Sequence, residues 1–122
     1  MTLNWESPIL FIDTYTGLLC FFIFLITSIF PPKKINALYG YRTKRSMKSE
    51  KNWNFAQRYS TKKMLKSTLL LAIFGLLGLF INWNENLEVA IGISSMTFAL
   101  FYPIYLTEQA LKKLDYEDNH SN

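Results

Sequence analysis

Three long apolar segments, separated by polar stretches, organise the chain. They cover residues 9–30, 64–83 and 87–106, and each approaches the roughly 20 residues that a helix needs to cross the hydrocarbon core of a bilayer. No charged residue occurs within 14–30 or 67–84, whereas a helix of a soluble protein normally keeps a polar face. The pattern predicts an all-α membrane protein with three transmembrane helices in one domain. The alternative, a soluble bundle of long buried helices, is disfavoured by the charge-free segments.

Positive charge is concentrated between the first two segments, in a loop over residues 31–63 and at the start of the second segment. Glu50 is the single acid among eleven basic residues there, although the net charge of the whole chain is only +4. The basic residues are Lys33, Lys34, Arg42, Lys44, Arg45, Lys48, Lys51, Arg58, Lys62, Lys63 and Lys66. Because short basic loops stay in the cytoplasm, we expect a cytoplasmic loop, an outer N-terminus and a cytoplasmic polar tail over 107–122.

A helix is predicted to begin inside the basic loop. Ser49 can cap it, and the acid Glu50 suits the positive end of the helix dipole. One side of this helix would carry Trp53, Ala56, Ser60 and Met64. We expect an amphipathic, partly surface-bound helix that runs into the second span, with Trp53 in the headgroup region. The loop is therefore predicted to be partly helical.

Small residues are spaced so that the second and third helices can approach their neighbours closely. The sets are Ala72, Gly75 and Gly78, the pair Ala90 and Ser94, and the pair Ser95 and Ala99. Close packing drives the association of membrane helices, and we expect these sets to pack within one chain. Pro103 is expected to kink the third helix near its end. The oligomeric state is left open.

Asp13 is the one acid within the first apolar segment. It precedes Phe30 by seventeen residues, or about 26 Å along a helix, which places it near one membrane interface. An acid inside a membrane is a functional candidate. At this depth, however, a solvated interfacial carboxylate is the favoured interpretation.

Catalytic motifs are absent from the sequence. There is no H-E-x-x-H, paired cysteine, phosphate-binding glycine loop or G-x-G-x-x-G. We therefore predict a protein that is not an enzyme, with no catalytic residues, cofactor or metal site. The basic residues suit an anionic leaflet, so anionic lipid headgroups are expected partners and nucleic acid is not.

The order of the uncharged residues in the basic loop carries a further signal. An asparagine is followed by Gly-x-Arg-Thr, a serine, and then a tryptophan and an alanine with a polar neighbour. These residues are Asn36, Gly40, Arg42, Thr43, Ser46, Trp53, Ala56 and Gln57. The pattern resembles the signature of the SdpI family of small multi-pass bacterial membrane proteins. The resemblance implies a place in the bacterial cytoplasmic membrane and a role in immunity or signalling, such as sensing or resisting an envelope-active peptide.

Two questions about the signature stay open at this point. A structural or accessory membrane protein that binds anionic lipid or a larger membrane partner is the alternative to the immunity role. For the signature itself, a structured turn is favoured over a ligand site, with a positive φ at Gly40. Arg42 and Arg45 could each form a fork with a lipid phosphate or a carboxylate, and Glu50 is the acid nearest in sequence.

Overall fold

The computed structural model describes residues 2–120, and within them every regular element is a helix. Three stretches, Leu10–Ile29, Glu50–Phe80 and Glu85–His120, are long and apolar enough to cross a membrane. The first consists of a π-helical segment, Leu10–Tyr15, followed by helix α1, Thr16–Ile29. Helix α2 spans Glu50–Leu76 and ends in a 3₁₀ turn, Leu77–Phe80, and helix α3 spans Glu85–His120. The prediction of an all-α protein with three potential spans is confirmed.

Helix α2 begins where its capping residues predict. The Ser49 hydroxyl accepts a hydrogen bond from the backbone N–H of Asn52 at 3.1 Å, which satisfies one of the free donors of the first turn. The helix then continues without interruption from Glu50 to Leu76. Its predicted apolar side, with Trp53, Ala56, Ser60 and Met64, is buried against the rest of the protein.

Helix α2 lies between the other two, and close approach of backbones holds α1 against it. A Cβ atom added to Gly17 would lie 2.6 Å from the backbone nitrogen of Ala72 and 2.8 Å from the carbonyl oxygen of Thr68. The predicted small residues Ala72, Gly75 and Gly78 are all buried: Ala72 lies against α1, whereas Gly75 and Gly78 lie against the π-helical segment and the residues just before it. Glycine here lets two helix backbones meet, as is common in membranes.

The small residues of α3 divide into two faces. Ala99 is buried and Ser95 is half-buried, as expected for packing within the chain, but Ala90 and Ser94 are exposed. The prediction was therefore wrong for Ala90 and Ser94. Neighbouring residues of a helix are turned by about 100° from each other, so Ser94 faces outward when Ser95 faces the bundle.

Helix α3 continues through Pro103 to His120. Proline has no N–H for the carbonyl four residues earlier, which leaves the carbonyl of Ala99 without its helical donor. The Ser67 hydroxyl of α2 donates to this oxygen at 2.6 Å and so replaces the missing bond. The polar tail predicted over 107–122 is thus helical as far as His120, and its last two residues lie outside the described part of the chain.

Asp13 is fully buried in the π-helical segment, so the prediction of a solvated interfacial carboxylate was wrong. Its Oδ2 lies 2.5 Å from the Ser95 hydroxyl of α3. At the same end of the bundle, Glu88 of α3 is also buried, and the Ser7 hydroxyl donates to its Oε1 at 2.6 Å. Counting residues along the first span predicts how deep a side chain lies in the membrane but not which neighbours surround it. Asp13 and Glu88 are both covered by other parts of the chain.

Candidate functional site

The part of the basic loop that precedes α2, residues 31–49, is a folded element that α2 and α3 hold in place. Near its start, the carbonyl oxygen of Pro32 accepts a hydrogen bond at 2.8 Å from the indole nitrogen of Trp53. Trp53 is completely buried, as is Ala56 one turn further along α2. The expectation that Trp53 lies in the lipid headgroups was therefore wrong. An indole N–H seeks an acceptor when it is buried, and here the start of the loop supplies it.

Asn36 organises the first turn of the loop. Its side-chain oxygen accepts from the backbone N–H groups of Leu38 and Tyr39, both at 2.9 Å, and its amide group donates to the carbonyl of Lys34. Such local bonds are the reason that asparagine favours turns. The Tyr39 hydroxyl then donates to the carbonyl of Phe30 at 2.6 Å, which ties the turn to the end of α1.

Gly40 has a φ of +106°, as its place in the signature predicts. This is a region of backbone space that residues with a Cβ rarely occupy. A Cβ at this position would also lie 2.7 Å from both Gln57 Oε1 and Pro32 Cγ. Glycine is thus required both for conformation and for space.

Gln57 binds the backbone of Tyr41 at two points. Its Oε1 accepts from the Tyr41 N–H at 2.7 Å, and its Nε2 donates to the Tyr41 carbonyl at 2.8 Å. Gln57 is buried. The side chain therefore pairs with the loop as a neighbouring strand would, and it fixes the loop on α2.

Glu108 of α3 fixes the same part of the loop from the other side. Its Oε2 accepts from the Tyr41 hydroxyl at 2.6 Å and from the Thr43 hydroxyl at 3.0 Å. Burial raises the pKa of the Tyr41 phenol well above its ordinary value, and the bond to Glu108 and its negative charge raise the pKa further. The phenol therefore stays protonated and continues to donate.

Thr43 and Ser46 close the next turn on each other. The Thr43 N–H donates to the Ser46 hydroxyl oxygen at 2.8 Å, and the Ser46 N–H donates to the Thr43 hydroxyl oxygen at 3.2 Å. Ser46 is fully buried, and its Oγ also lies within hydrogen-bond distance of the carbonyls of Tyr41 and Thr43. The two hydroxyl residues of the signature are thus structural.

Asp115, seven residues after Glu108 on α3, holds the last part of the loop. Its Oδ1 accepts from the Asn52 amide at 2.9 Å, and its Oδ2 forms ion pairs with Arg45 Nε at 3.5 Å and Lys48 Nζ at 3.9 Å. The Asn52 amide also donates to the carbonyl of Arg45. One carboxylate therefore links α3, the loop and the first turn of α2.

Arg42 does not form the predicted fork on a carboxylate. Its Nη1 donates to the carbonyl of Ala37 within the loop, and its side chain is exposed. Glu50, the acid nearest in sequence, takes part in none of the contacts recorded for the loop. The acids that bind the loop are on α3, and the arginine that reaches one of them is Arg45.

The signature residues border a cleft of about 430 Å³ between the loop and the three helices. The signature residues Gly40, Arg42, Thr43 and Gln57 lie on its wall, and its apolar residues include Ile23, Phe24, Met64 and Ile104. The structure therefore brings four of the eight signature residues to one concave surface. Of the others, Asn36 and Ser46 shape the loop, while Trp53 and Ala56 lie in the core below it.

Sequence reasoning missed the residues that receive the loop. Tyr41, Asn52, Glu108 and Asp115 make its principal long-range contacts, yet none was singled out. A signal was present, since acids seven residues apart lie on one face of a helix. It could not indicate which part of the chain that face would contact.

Known proteins share sequence with this chain. The SdpI/YfhL protein family matches residues 33–106, which is more than half of the chain and includes the loop, α2 and most of α3. A relative is the uncharacterized protein YfhL of Bacillus subtilis (strain 168), which is 41% identical over 88 residues, covering 72% of this chain and 74% of the relative. No solved structure matches the chain.

These matches and the three apolar helices define the class of protein, an integral membrane protein. The chain belongs to the SdpI/YfhL family.

Proposed function

We propose that this protein acts in immunity or signalling at the bacterial cytoplasmic membrane, where it senses or resists an envelope-active peptide and reports through its folded basic loop. The proposed role is binding rather than catalysis. In this proposal the loop and the C-terminal end of α3 face the cytoplasm and the N-terminus faces outward. The concentration of basic residues in the loop supports that orientation.

One observation carries the proposal: carboxylates of the third helix hold the loop that joins the first two. Glu108 binds Tyr41 and Thr43, and Asp115 binds Arg45 and Asn52. A peptide that enters the bilayer and shifts α3 relative to α2 would also move both carboxylates. The loop would then change shape on the other side of the membrane, as a signal requires.

The surface of the loop suits contact with a second molecule. Leu38 is 88% exposed, and four basic residues within six positions of it in sequence are also exposed, Lys33, Lys34, Arg42 and Lys44. An exposed apolar side chain in a basic segment fits an acidic or anionic partner. Leu38 lies in the turn that Asn36 holds by hydrogen bonds, so less conformational entropy is lost when a partner binds.

The test compares two acids of α3 in a strain that lacks the gene. Strains expressing the wild type, Glu108→Gln or Glu117→Gln are challenged with a cationic amphipathic helical peptide, and survival is measured at matched protein levels. Glu117 is exposed and serves as the control. We expect protection by the wild type and Glu117→Gln and reduced protection by Glu108→Gln. Equal protection by all three, or no protection by the wild type, would refute the proposal.

A groove between α2 and α3 supports the second candidate, an accessory protein that binds anionic lipid. Its volume is about 390 Å³, and Leu70, Phe74 and Phe98 are among its apolar residues. Lys63 and Lys66 lie at its end nearest the loop. An acyl chain in the groove would place a phosphate beside these lysines.

Native mass spectrometry can test this candidate with phosphatidylglycerol and phosphatidylcholine. The double variant Lys63→Gln/Lys66→Gln should retain fewer phosphatidylglycerol molecules than the wild type. The double variant Lys112→Gln/Lys113→Gln, which removes the same charge from exposed positions of α3, should not differ from it. Equal losses in both variants would mean that only overall charge matters.

A further inference from the structure

We infer that the buried carboxyl group of Asp13 is a proton-binding site that holds its proton at neutral pH, and that this proton joins the first span to the third. The site lies at the end of the bundle opposite the basic loop. It goes beyond the proposed function, because none of the loop contacts involves it.

The inference rests on the Ser95 hydroxyl, which has more oxygen neighbours than its one hydrogen can bind. Its hydroxyl oxygen lies 2.5 Å from Asp13 Oδ2, 2.8 Å from the carbonyl of Ile91 and 3.0 Å from the carbonyl of Gly92. A hydroxyl has one hydrogen to donate, and a serine within a helix commonly donates it to the carbonyl four residues earlier. The short contact with Asp13 then needs a second hydrogen, which a protonated carboxyl group can supply.

The other carboxyl oxygen supports the neutral form. Asp13 is fully buried, and its Oδ1 has no hydrogen-bond partner among residues 2–120. An ionised carboxylate needs several donors when it is removed from water, whereas a neutral acid can leave one carbonyl oxygen unpaired at much lower cost. With Oδ2–H donating to Ser95 and Ser95 donating to Ile91, the other polar atoms of the site are satisfied.

No cation faces Asp13 from the helices packed against it. Helix α2 approaches at Gly75, and the chain has no charged residue between Lys66 and Glu85. On α3 the carboxyl group nearest in sequence is that of Glu88, seven residues before Ser95, and the phenol of Tyr102 lies seven residues after it. Glu88 differs from Asp13, because it lies in the first turn of α3 and accepts from Ser7, whose hydroxyl has no other recorded acceptor.

The proton on Asp13 lies at the contact between the first and third spans, so its loss should affect how these helices pack. The π-helical segment that carries Asp13 contacts both α2 and α3, and π-helical turns often occur at functional sites. Loss of the proton would leave a charge between the helices, where the Ser95 hydroxyl is the side-chain hydrogen-bond partner of Asp13 among residues 2–120. The contact between the first and third spans is therefore expected to weaken when the proton leaves.

Infrared spectroscopy of the full-length protein in lipid bilayers at neutral pH tests the site. Protein labelled with carbon-13 aspartate should show the carbonyl stretch of a protonated aspartic acid, identified by its isotope shift. Asp115 and Asp118, the other aspartates of the chain, form ion pairs with basic residues near the C-terminal end of α3. Absence of a protonated-aspartate band in the folded wild type would overturn the inference without any variant.

Three variants then assign the band. Asp13→Asn should abolish it, Glu88→Gln should leave it unchanged, and Ser95→Ala should shift its frequency, because the acid loses its acceptor. Circular dichroism confirms that each variant retains its helices. A band that persists in Asp13→Asn, or one that Glu88→Gln removes, would also overturn the inference.

Discussion

The two ends of the helical bundle use buried or half-buried acids in opposite ways. At the loop end, Glu108 and Asp115 each accept from several donors, and charge is the source of the attraction. At the other end, Asp13 has a single hydroxyl neighbour, and the helices meet through glycine instead. Contacts near water can use ionised groups, whereas contacts within the apolar layer depend on close packing and neutral hydrogen bonds.

The largest effect is expected at the end that relies on packing. Gly17→Val would place side-chain atoms where the backbone of α2 lies, since even a Cβ would be 2.6 Å from the Ala72 nitrogen. Backbone atoms cannot move aside as a flexible side chain can, so α1 must separate from α2. We expect a several-fold loss of accumulated protein in the membrane fraction, measured by immunoblot. The control is Ser94→Val on the exposed face of α3, and similar losses in both would contradict close packing of α1 on α2.

At the loop end, Gly40→Val should have the next largest effect. It combines a strained positive φ, worth about 1–3 kcal/mol, with a clash against Gln57 and Pro32. The comparison is Lys48→Ala, which removes an exposed side chain 3.9 Å from Asp115. Thermal unfolding in detergent should show a clearly lower melting temperature for Gly40→Val alone. Equal, small shifts would mean that the Gly-x-Arg-Thr segment is not a structured turn.

Tyr41→Phe isolates the bond between the loop and Glu108. A hydrogen bond to a charged group contributes about 1.5–3 kcal/mol. The pKa of Tyr41 is higher in the folded protein than in the unfolded chain, so this contribution is complete below the unfolded pKa of about 10 and falls as the pH rises above it. The difference in stability between the wild type and Tyr41→Phe should therefore be constant from neutral pH to about pH 10 and shrink at higher pH. A difference that grows above that pH would contradict the bond.

The smallest effect is expected for Arg42→Lys. The arginine makes one contact, with the carbonyl of Ala37, and lies at the exposed edge of the cleft. Lysine keeps the charge and can reach the same oxygen, so we expect a change within about 0.5 kcal/mol, as for most surface substitutions. Chemical unfolding would measure it, with Lys44→Arg as the neutral control. A large loss of stability would indicate a forked contact that the structure does not show.

Much of the fold could be predicted because its signals are local. Charge-free segments, the Ser49 cap and the glycine at position 40 each act on their own neighbours, and the structure contains all three features. The contacts of the loop with α3 could not be predicted, since Tyr41 and Glu108 are 67 residues apart. Trp53 and Asp13 were placed by their expected depth in the membrane, but contacts with other parts of the chain determine their burial.

Hydrogen exchange across residues 35–47 tests most directly whether the loop is a folded element held by α3. The Tyr41 N–H is bonded to Gln57 and the Met47 N–H to Thr43, so both amides should exchange much more slowly than in a free peptide of the same sequence. Glu108→Gln should accelerate exchange at Tyr41, whereas Glu117→Gln should not. Exchange of these amides at the free-peptide rate in the wild-type protein would contradict a folded loop.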